Sequence, residues 1–302
     1  MTLITNTMAN ASLPYHFLLD YVDAGRLGRM TDHEKKELVS KIFLSGQTED
    51  SWNALLELFS LWPDNQVKKQ AFELAENQLT DWEEDERHIN SSWMRIIHNN
   101  ELSSVALLAR RISINRREES GNSELSVIAS SPNAANLFRI DIDRSTIYTE
   151  GIRALANSQY LQHLTTICIN GVSFSDDNFL LLLNPAKLES LLSLALTKCG
   201  ITGKRTDLLL HSKLAPQLET LNLSRNTVGD EGAIQIASSG SLSRLRILDM
   251  GNNFITDIGA VALAASLQLV SLQQLILTGN TIKNPDEIKN KIPKNRNIRI
   301  II

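Results

Sequence analysis

A leucine returns with a fixed period of 27 through the second half of the chain, at Leu137, Leu164, Leu191, Leu218, Leu245 and Leu272. No insertion breaks the register, and an apolar pair follows each leucine at +3 and +5. The pairs are Ile140/Ile142, Ile167/Ile169, Leu194/Leu196, Leu221/Leu223, Leu248/Met250 and Leu275/Leu277. At +8 stand Ser145, Val172, Cys199, Asn226, Asn253 and Asn280; at +10 stand Ile147, Phe174, Ile201, Val228, Ile255 and Ile282. A unit this short cannot bury its own apolar stripe. Stacking identical units buries it in one continuous core, so the period itself demands a solenoid.

Within each unit the apolar spacing changes from 2 to 3 or 4, the change from strand to helix. The helical part is clearest at Gly151–Ala156, Gly232–Ala237 and Gly259–Ala264. The Asp-Glu-Gly and Asp-Ile-Gly turns at two of these starts suit a helix N-terminus, where acidic side chains meet the positive end of the dipole. Glu124–Ala129 stands one full period ahead of Gly151–Ala156, so a half repeat leads the array.

The pattern resembles the leucine-rich repeat, L-x-x-L-x-L-x-x-N/C-x-L. Its length and helix together resemble the ribonuclease-inhibitor-like subclass, across about residues 124–302. The resemblance implies an α/β solenoid with parallel strands on the inner curve and helices outside. It also implies protein binding through the inner face and the loops beside it. Asn226, Asn253 and Asn280 are expected to turn inward and satisfy loop backbone groups, with Cys199 as a weaker donor in the same column. Ser145 and Val172 depart from that column.

The first half is a different module. All four tryptophans, Trp52, Trp62, Trp82 and Trp93, lie there. Residues 1–136 carry 13 basic and 20 acidic side chains, whereas residues 137–302 carry 17 and 14. Residues 1–11 read as a loose tail. Six amphipathic helices joined by short connections are expected to follow. Ser12 and Pro14 open the first, which Gly25 ends. Thr31–Glu34 forms a capping box for the second. The third carries Trp52, Leu55, Leu56, Phe59 and Trp62, and Asp64 caps the fourth. Ile89, Trp93, Ile96 and Ile97 mark the fifth; Leu102, Val105, Leu108, Ala109 and Ile112 mark the sixth. The stretch Leu55–Leu79 resembles one HEAT repeat. The expected division is an all-helical module over 1–115, a joint over 116–123, and the repeats with a C-terminal cap over 124–302.

Several chemistries are excluded by spacing. Gly200–Thr206 is no phosphate loop, because G-x-x-x-x-G-K-[ST] needs glycine where Lys198 stands and Ser or Thr where Arg205 stands. No pair among the six histidines has zinc-site spacing, so no metal or other cofactor is expected. Cys168 faces outward on its strand with no patterned base beside it. The net charge of −4 gives no case for nucleic acid, and aromatics do not interleave the C-terminal basic set of Lys289, Lys291, Lys294, Arg296 and Arg299. Apolar runs such as Phe179–Leu183 are far too short to span a bilayer. No basic residue precedes Arg26 and the two cysteines form no disulfide framework, so a cytoplasmic setting is expected.

What remains is the inner face. Its outward columns, +2, +4, +6 and +7, are mostly small, polar and of mixed charge, which suits protein contacts better than a deep apolar pocket. The candidate partner-binding residues are Asp141, Arg144, Asn170, Lys198, Asn222, Arg225, Asp249 and Asn252. The expected function is that of a non-enzymatic interaction scaffold whose partner is a protein. A regulator of a small GTPase and a bacterial effector acting on a host protein are the alternatives. Oligomeric state has no signature in the sequence.

Overall fold

The computed structural model of the chain describes residues 24–83, 87–89, 97, 104–115 and 121–302. Two compact units emerge: one runs to His88 and includes Ser103–Arg111, and the other comprises Ile89–Leu102 and Ile112–Ile302.

The first unit is built on α1 (Ala24–Leu27), α2 (Asp32–Leu44), α3 (Glu49–Leu61) and α4 (Gln66–Leu79). The capping box forms at Thr31. Its hydroxyl accepts from the Glu34 N–H at 3.3 Å, and the Glu34 carboxylate accepts from the Thr31 N–H at 2.7 Å. Those bonds hold the Glu34 carboxyl below the usual carboxylate range. Beyond the C-cap residue Ser45, Gly46 takes φ +99°, a left-handed turn that a side chain would resist. The cap of α4 is Asn65 rather than Asp64. A capping oxygen has to reach the N–H three positions on, and Asn65 Oδ1 accepts from Lys68 N at 2.8 Å. Asp64, one place too early, meets Lys68 Nζ at 2.7 Å instead. Phe59 ties the helices together, stacked on Trp62 and edge-on to Phe72 of α4.

Residues Ser12, Pro14, Phe17, Leu18, Tyr21 and Val22 of the expected first helix lie outside the described residues; Gly25 sits inside α1 rather than ending a helix. Trp93 and Ile96 likewise lie outside them. Farther on, the chain differs from an all-helical reading. β1 (His88–Ile89) and β2 (Arg111–Asn115) are strands flanking a short α5 (Ser104–Leu107). Ile112 and Ile114 alternate with polar neighbours, as strand side chains do, and are fully buried, with Ser113 between them buried too. An exact period would put this apolar pair at Ser113 and Asn115, so β2 lies one place out of register and escapes a scan at the repeat interval.

In the second unit strand and helix alternate. After β2 come α6 (Gly121–Ser130), β3 (Arg139–Asp143), α7 (Thr149–Asn157), β4 (Thr166–Asn170) and α8 (Asp176–Leu183). Then follow β5 (Ser193–Thr197), α9 (Gly203–Leu210), β6 (Thr220–Asn222), α10 (Gly229–Ser238) and β7 (Ile247–Asp249). The chain closes with α11 (Asp257–Ala265), β8 (Gln274–Ile276), α12 (Pro285–Asn290) and β9 (Arg299–Ile301). Among the described residues nine strands form one sheet in sequence order, and β3 through β9 pair parallel. From β3 to β8 each Cα pairs with the same repeat position on the next strand, as Ile140 with Ile167 and Leu194 with Leu221. A repeat position thus becomes a column running across the sheet. The +3 and +5 columns are buried and the +2 and +4 columns half-exposed.

Three hydrogen-bond series join repeat to repeat. In the first, the Asn226 side-chain oxygen accepts from Cys199 N (2.9 Å) and Ile201 N (3.1 Å) of the preceding repeat. Its amide donates to the carbonyls of Leu196 (2.7 Å) and Leu223 (2.8 Å). Asn253 and Asn280 repeat the arrangement, reaching Val228 N and Leu223 O, and Ile255 N and Met250 O. In the second, aspartates at +12 cap the following repeat. Asp230 accepts from Thr256 N (2.8 Å), Thr256 Oγ1 (2.6 Å) and Gly259 N (3.0 Å). Asp257 accepts from Asn284 N and Lys283 N, contacts that hold its carboxyl below the usual range. The third joins the helix ends. Ser131, Ser158 and Ser266 occupy one column and donate to Ile97 O (2.8 Å), Ala129 O (2.5 Å) and Ala237 O (2.6 Å). At the C-terminal end Arg296 finishes this series, its guanidinium donating to Ser266 O at 2.7 Å and to Leu269 O. On the helical side Gly232 and Gly259 mark the closest approach. A Cβ on Gly232 would lie 3.3 Å from Gly203 Cα, and one on Gly259 would lie 3.0 Å from Ala233 Cβ.

Asn253 is fully buried, so truncating it removes the acceptor of Val228 N and one of the two donors to each of Leu223 O and Gly251 O. Asn253→Ala is expected to lower the unfolding free energy by about 1–3 kcal/mol, the usual penalty for an unmet buried polar group. Asn253→Asp, which cannot donate, should also destabilise. Urea unfolding of the three proteins checks this; coincident midpoints would contradict the interior role of the side chain.

Candidate functional site

The open face of the sheet is assembled from columns. Asp141, Asn222 and Asp249 share the +4 column, Asn170 the +6 column, and Arg144, Lys198, Arg225 and Asn252 the +7 column. All eight candidates therefore lie on the strand side, Asp141 in the middle of β3 and the others at or just past the strand ends.

Backbone geometry sets the +7 column apart. Arg144, Lys198, Arg225 and Asn252 have φ of +48°, +54°, +59° and +54°, and Gly171 and Gly279 complete the column at +67° and +70°. This left-handed region is one that residues with a Cβ seldom adopt. The reason for it is the hydrogen bond it permits. Turning φ positive aims each +7 N–H along the sheet, at the +6 carbonyl of the next repeat. Arg144 N donates to Asn170 O (2.7 Å), Lys198 N to Ser224 O (3.1 Å), Arg225 N to Gly251 O (2.8 Å) and Asn252 N to Thr278 O (2.8 Å). The sheet's pairing thus continues past the strands, and the side chains at this column are thrown out into solvent. All four are exposed. The sequence carries a mark of this: glycine, asparagine and long basic residues share one column.

The side chains at +4 and +6 are more committed to the fold than their polarity suggests. Asp141 forms a half-buried ion pair with Arg139 at 2.9 Å. Asn170 Nδ2 donates to Asp143 Oδ1 at 2.5 Å. Asn222 Oδ1 accepts from Ser224 N at 2.8 Å and Asp249 Oδ1 from Gly251 N at 2.9 Å, the local turn-closing bonds of Asn and Asp. Substituting Asp249 removes one of these, so it is no silent surface change. Arg144 lies 3.9 Å from Asp143, whereas no ion pair engages Lys198 or Arg225 among the described residues.

The residues outside the open face have structural places. Arg205, in the stretch that superficially resembles a phosphate loop, donates to Phe174 O at 2.6 Å and Asp176 Oδ1 at 3.1 Å, with its guanidinium over the Phe179 ring. Asp176 is thereby held below the usual carboxylate range, Lys204 contributing most and Arg205 next. His33 and His211 pair with Glu37 and Asp207 one turn away along their helices. Cys199 is buried, its thiol reaching Ile169 O at 3.4 Å. Among the described residues no His, Cys, Asp or Glu group is arranged to hold a metal ion, and no helix is long and apolar enough to cross a membrane.

A family model described as leucine-rich repeats (2 copies) matches residues 216–265, the segment from the fourth strand of the repeat array through α11. No curated protein matches. Among solved structures, an internalin of Listeria monocytogenes shares 16% identity over 65% of this chain and 57% of that chain, with a TM-score of 0.35. The chain thus spans little more than half of that internalin chain. The register of the segment that matches the family model extends through β3–β8. The fold is an α/β solenoid of the leucine-rich-repeat type, preceded in sequence by a helical unit.

Burial pushes the Cys199 thiol up to about 11 from an ordinary 9.0. The folded chain keeps the proton longer than the unfolded one. The stabilisation is therefore full below pH 9 and lost as pH rises through about 11. Iodoacetamide at pH 8 should alkylate the half-buried Cys168 well before Cys199. Peptide mass spectrometry reads the order, and equal labelling of both thiols in the native state would contradict the buried placement.

Proposed function

We propose that this protein is a non-enzymatic docking module that grips a protein partner on the open face of its sheet. The observation that carries the reading is the unbroken register of β3–β8, which sets exposed and half-exposed polar side chains from successive repeats side by side. Such a surface is formed before the partner arrives, so little conformational entropy is lost on binding. Asp141, Arg144, Asn170, Lys198, Asn222, Arg225, Asp249 and Asn252 are the proposed contact residues, with Arg225 as an anchor because arginine is enriched at interface hot spots. A helix on the outer side of each repeat supports assignment to the ribonuclease-inhibitor-like subclass. The unpaired thiol of Cys199, bonded to a backbone carbonyl, fits a reducing setting such as the cytoplasm. The helical unit is the proposed site for a second component.

The test uses the +7 column, whose side chains leave the fold's hydrogen bonds to the backbone. Lys198→Glu with Arg225→Glu should weaken capture of the native partner at least tenfold, about 1.4 kcal/mol, while the melting temperature stays within a degree or two of the parent. Lys187→Glu, an exposed loop position ahead of the third strand of the array, is the control. Loss of capture by the control alone would place the partner on another surface.

A further inference from the structure

The fifth repeat departs from its neighbours at two columns beside the open face. At +9 the other repeats carry Thr, Ser or Gly, and the fifth carries Phe254. At +13 the others carry a charged residue or proline, and the fifth carries Ile258. Neither side chain is used by the core: Phe254 is 70% and Ile258 67% exposed. Phe254 also has φ +59°, and the residue holding the same column in the third repeat with a comparable φ of +68° is Gly200. An aromatic ring here is doubly unfavourable, with a backbone that suits glycine and an apolar surface left in water. No hydrogen bond or ring contact among the described residues offsets it.

The charges on the strand side of this pair are positive and unspent. Asp230 and Asp257, the acidic residues of the adjoining turns, are occupied as caps of the next repeat's loop. Glu231, exposed in Ile258's own column one repeat earlier, lies on the helix side, against Gly203, where a Cβ would lie 3.1 Å from its carboxylate. Arg225 stands one strand away from Asn252, and its N–H is bonded to Gly251 O, just before Phe254 in the chain. Lys198 follows in the same column one strand farther on, at about 4.8 Å per strand. Both cations are exposed and neither is engaged in an ion pair among the described residues. On its strand side the apolar pair thus has positive charge that the fold does not consume, and an opposite charge on a partner would be drawn there.

We propose that Phe254 and Ile258, with Arg225 and Lys198 beside them, anchor an acidic protein segment that carries a large apolar side chain. This rests on the reading of the open face as a protein-docking surface and names the chemistry of its partner. The ring supplies an exposed hydrophobic contact, and the two cations pair with carboxylates on the segment's flank.

The experiment uses the full chain and fluorescein-labelled peptides read by anisotropy. The probes are a Glu/Ser peptide with a central leucine pair, its Lys-for-Glu counterpart, its Ser-for-Leu counterpart, and phosphatidylserine vesicles. The Glu/Leu peptide should bind saturably, and both counterparts at least tenfold more weakly. Phe254→Gly should weaken binding at least tenfold while melting at or above the parent temperature, because glycine relieves the left-handed backbone. Ile258→Glu, which installs the residue type of the fourth repeat, should weaken it in the same direction. Absence of saturable binding, equal affinity for the Lys peptide, undiminished affinity in Phe254→Gly, or binding of vesicles in place of peptide would each overturn the proposal. Capture of the native partner separates the two levels. If Phe254→Gly captures normally and Lys198→Glu with Arg225→Glu does not, the anchor falls and the docking reading stands. If neither variant affects capture, the docking reading falls as well.

Discussion

A short strand that ends in a tight turn leaves its loop N–H and carbonyl groups without partners, and burying them so would cost more than the apolar core returns. Every repeat here meets that constraint by borrowing from the next one. Asparagine amides at +8 bridge two turns, aspartates at +12 cap the following loop, and the +7 N–H groups extend the sheet beyond the strands. Serine hydroxyls do the same at the helix ends. A single repeat is therefore incomplete in its polar groups as well as in its apolar ones. Its stability belongs to the stack, and the ends need dedicated closure, which Arg296 supplies at the C-terminal side by donating to the last loop's carbonyls.

The same constraint makes the surface. Because the +7 N–H must point along the sheet, the residue bearing it adopts positive φ, and its side chain is carried outward. Polar residues nearer the strand centres, such as Asn222 and Asp249, are partly used in closing turns. The side chains most available to another molecule are thus those at the column that the stacking bonds hold most firmly. A rigid backbone beneath a long, mobile, charged side chain suits recognition without rearrangement.

Much of this is legible in the sequence, because the period of the apolar residues fixes the columns and the columns fix which side chains turn inward. The inward, bridging roles of Asn226, Asn253 and Asn280 follow from their column alone. The glycines at +14 are visible, but not their purpose, which is helix approach across repeats. What escapes is whatever the period does not encode. β2 lies one place out of register, and its short, charged context reads as helix and joint around Ile112 and Ile114. Asp230 reads as a cap for its own helix, yet its carboxylate reaches forward to Thr256 and Gly259, a contact that needs the neighbouring repeat to be in place. The eight candidate contact residues all lie on the strand side. The left-handed backbone at Arg144, Lys198, Arg225 and Asn252 is marked in the sequence only by Gly171, Gly279 and Asn252 in the same column, because arginine and lysine carry no conformational signal of their own.

The borrowing of backbone partners between repeats is tested most directly by native-state hydrogen exchange of the +7 amides. Lys198, Arg225 and Asn252 have exposed side chains in loops, a setting in which free N–H groups exchange rapidly. If their N–H groups are committed to Ser224, Gly251 and Thr278, they should exchange slowly and open together with the adjoining strands. Exchange at the rate of unprotected loop amides would contradict it.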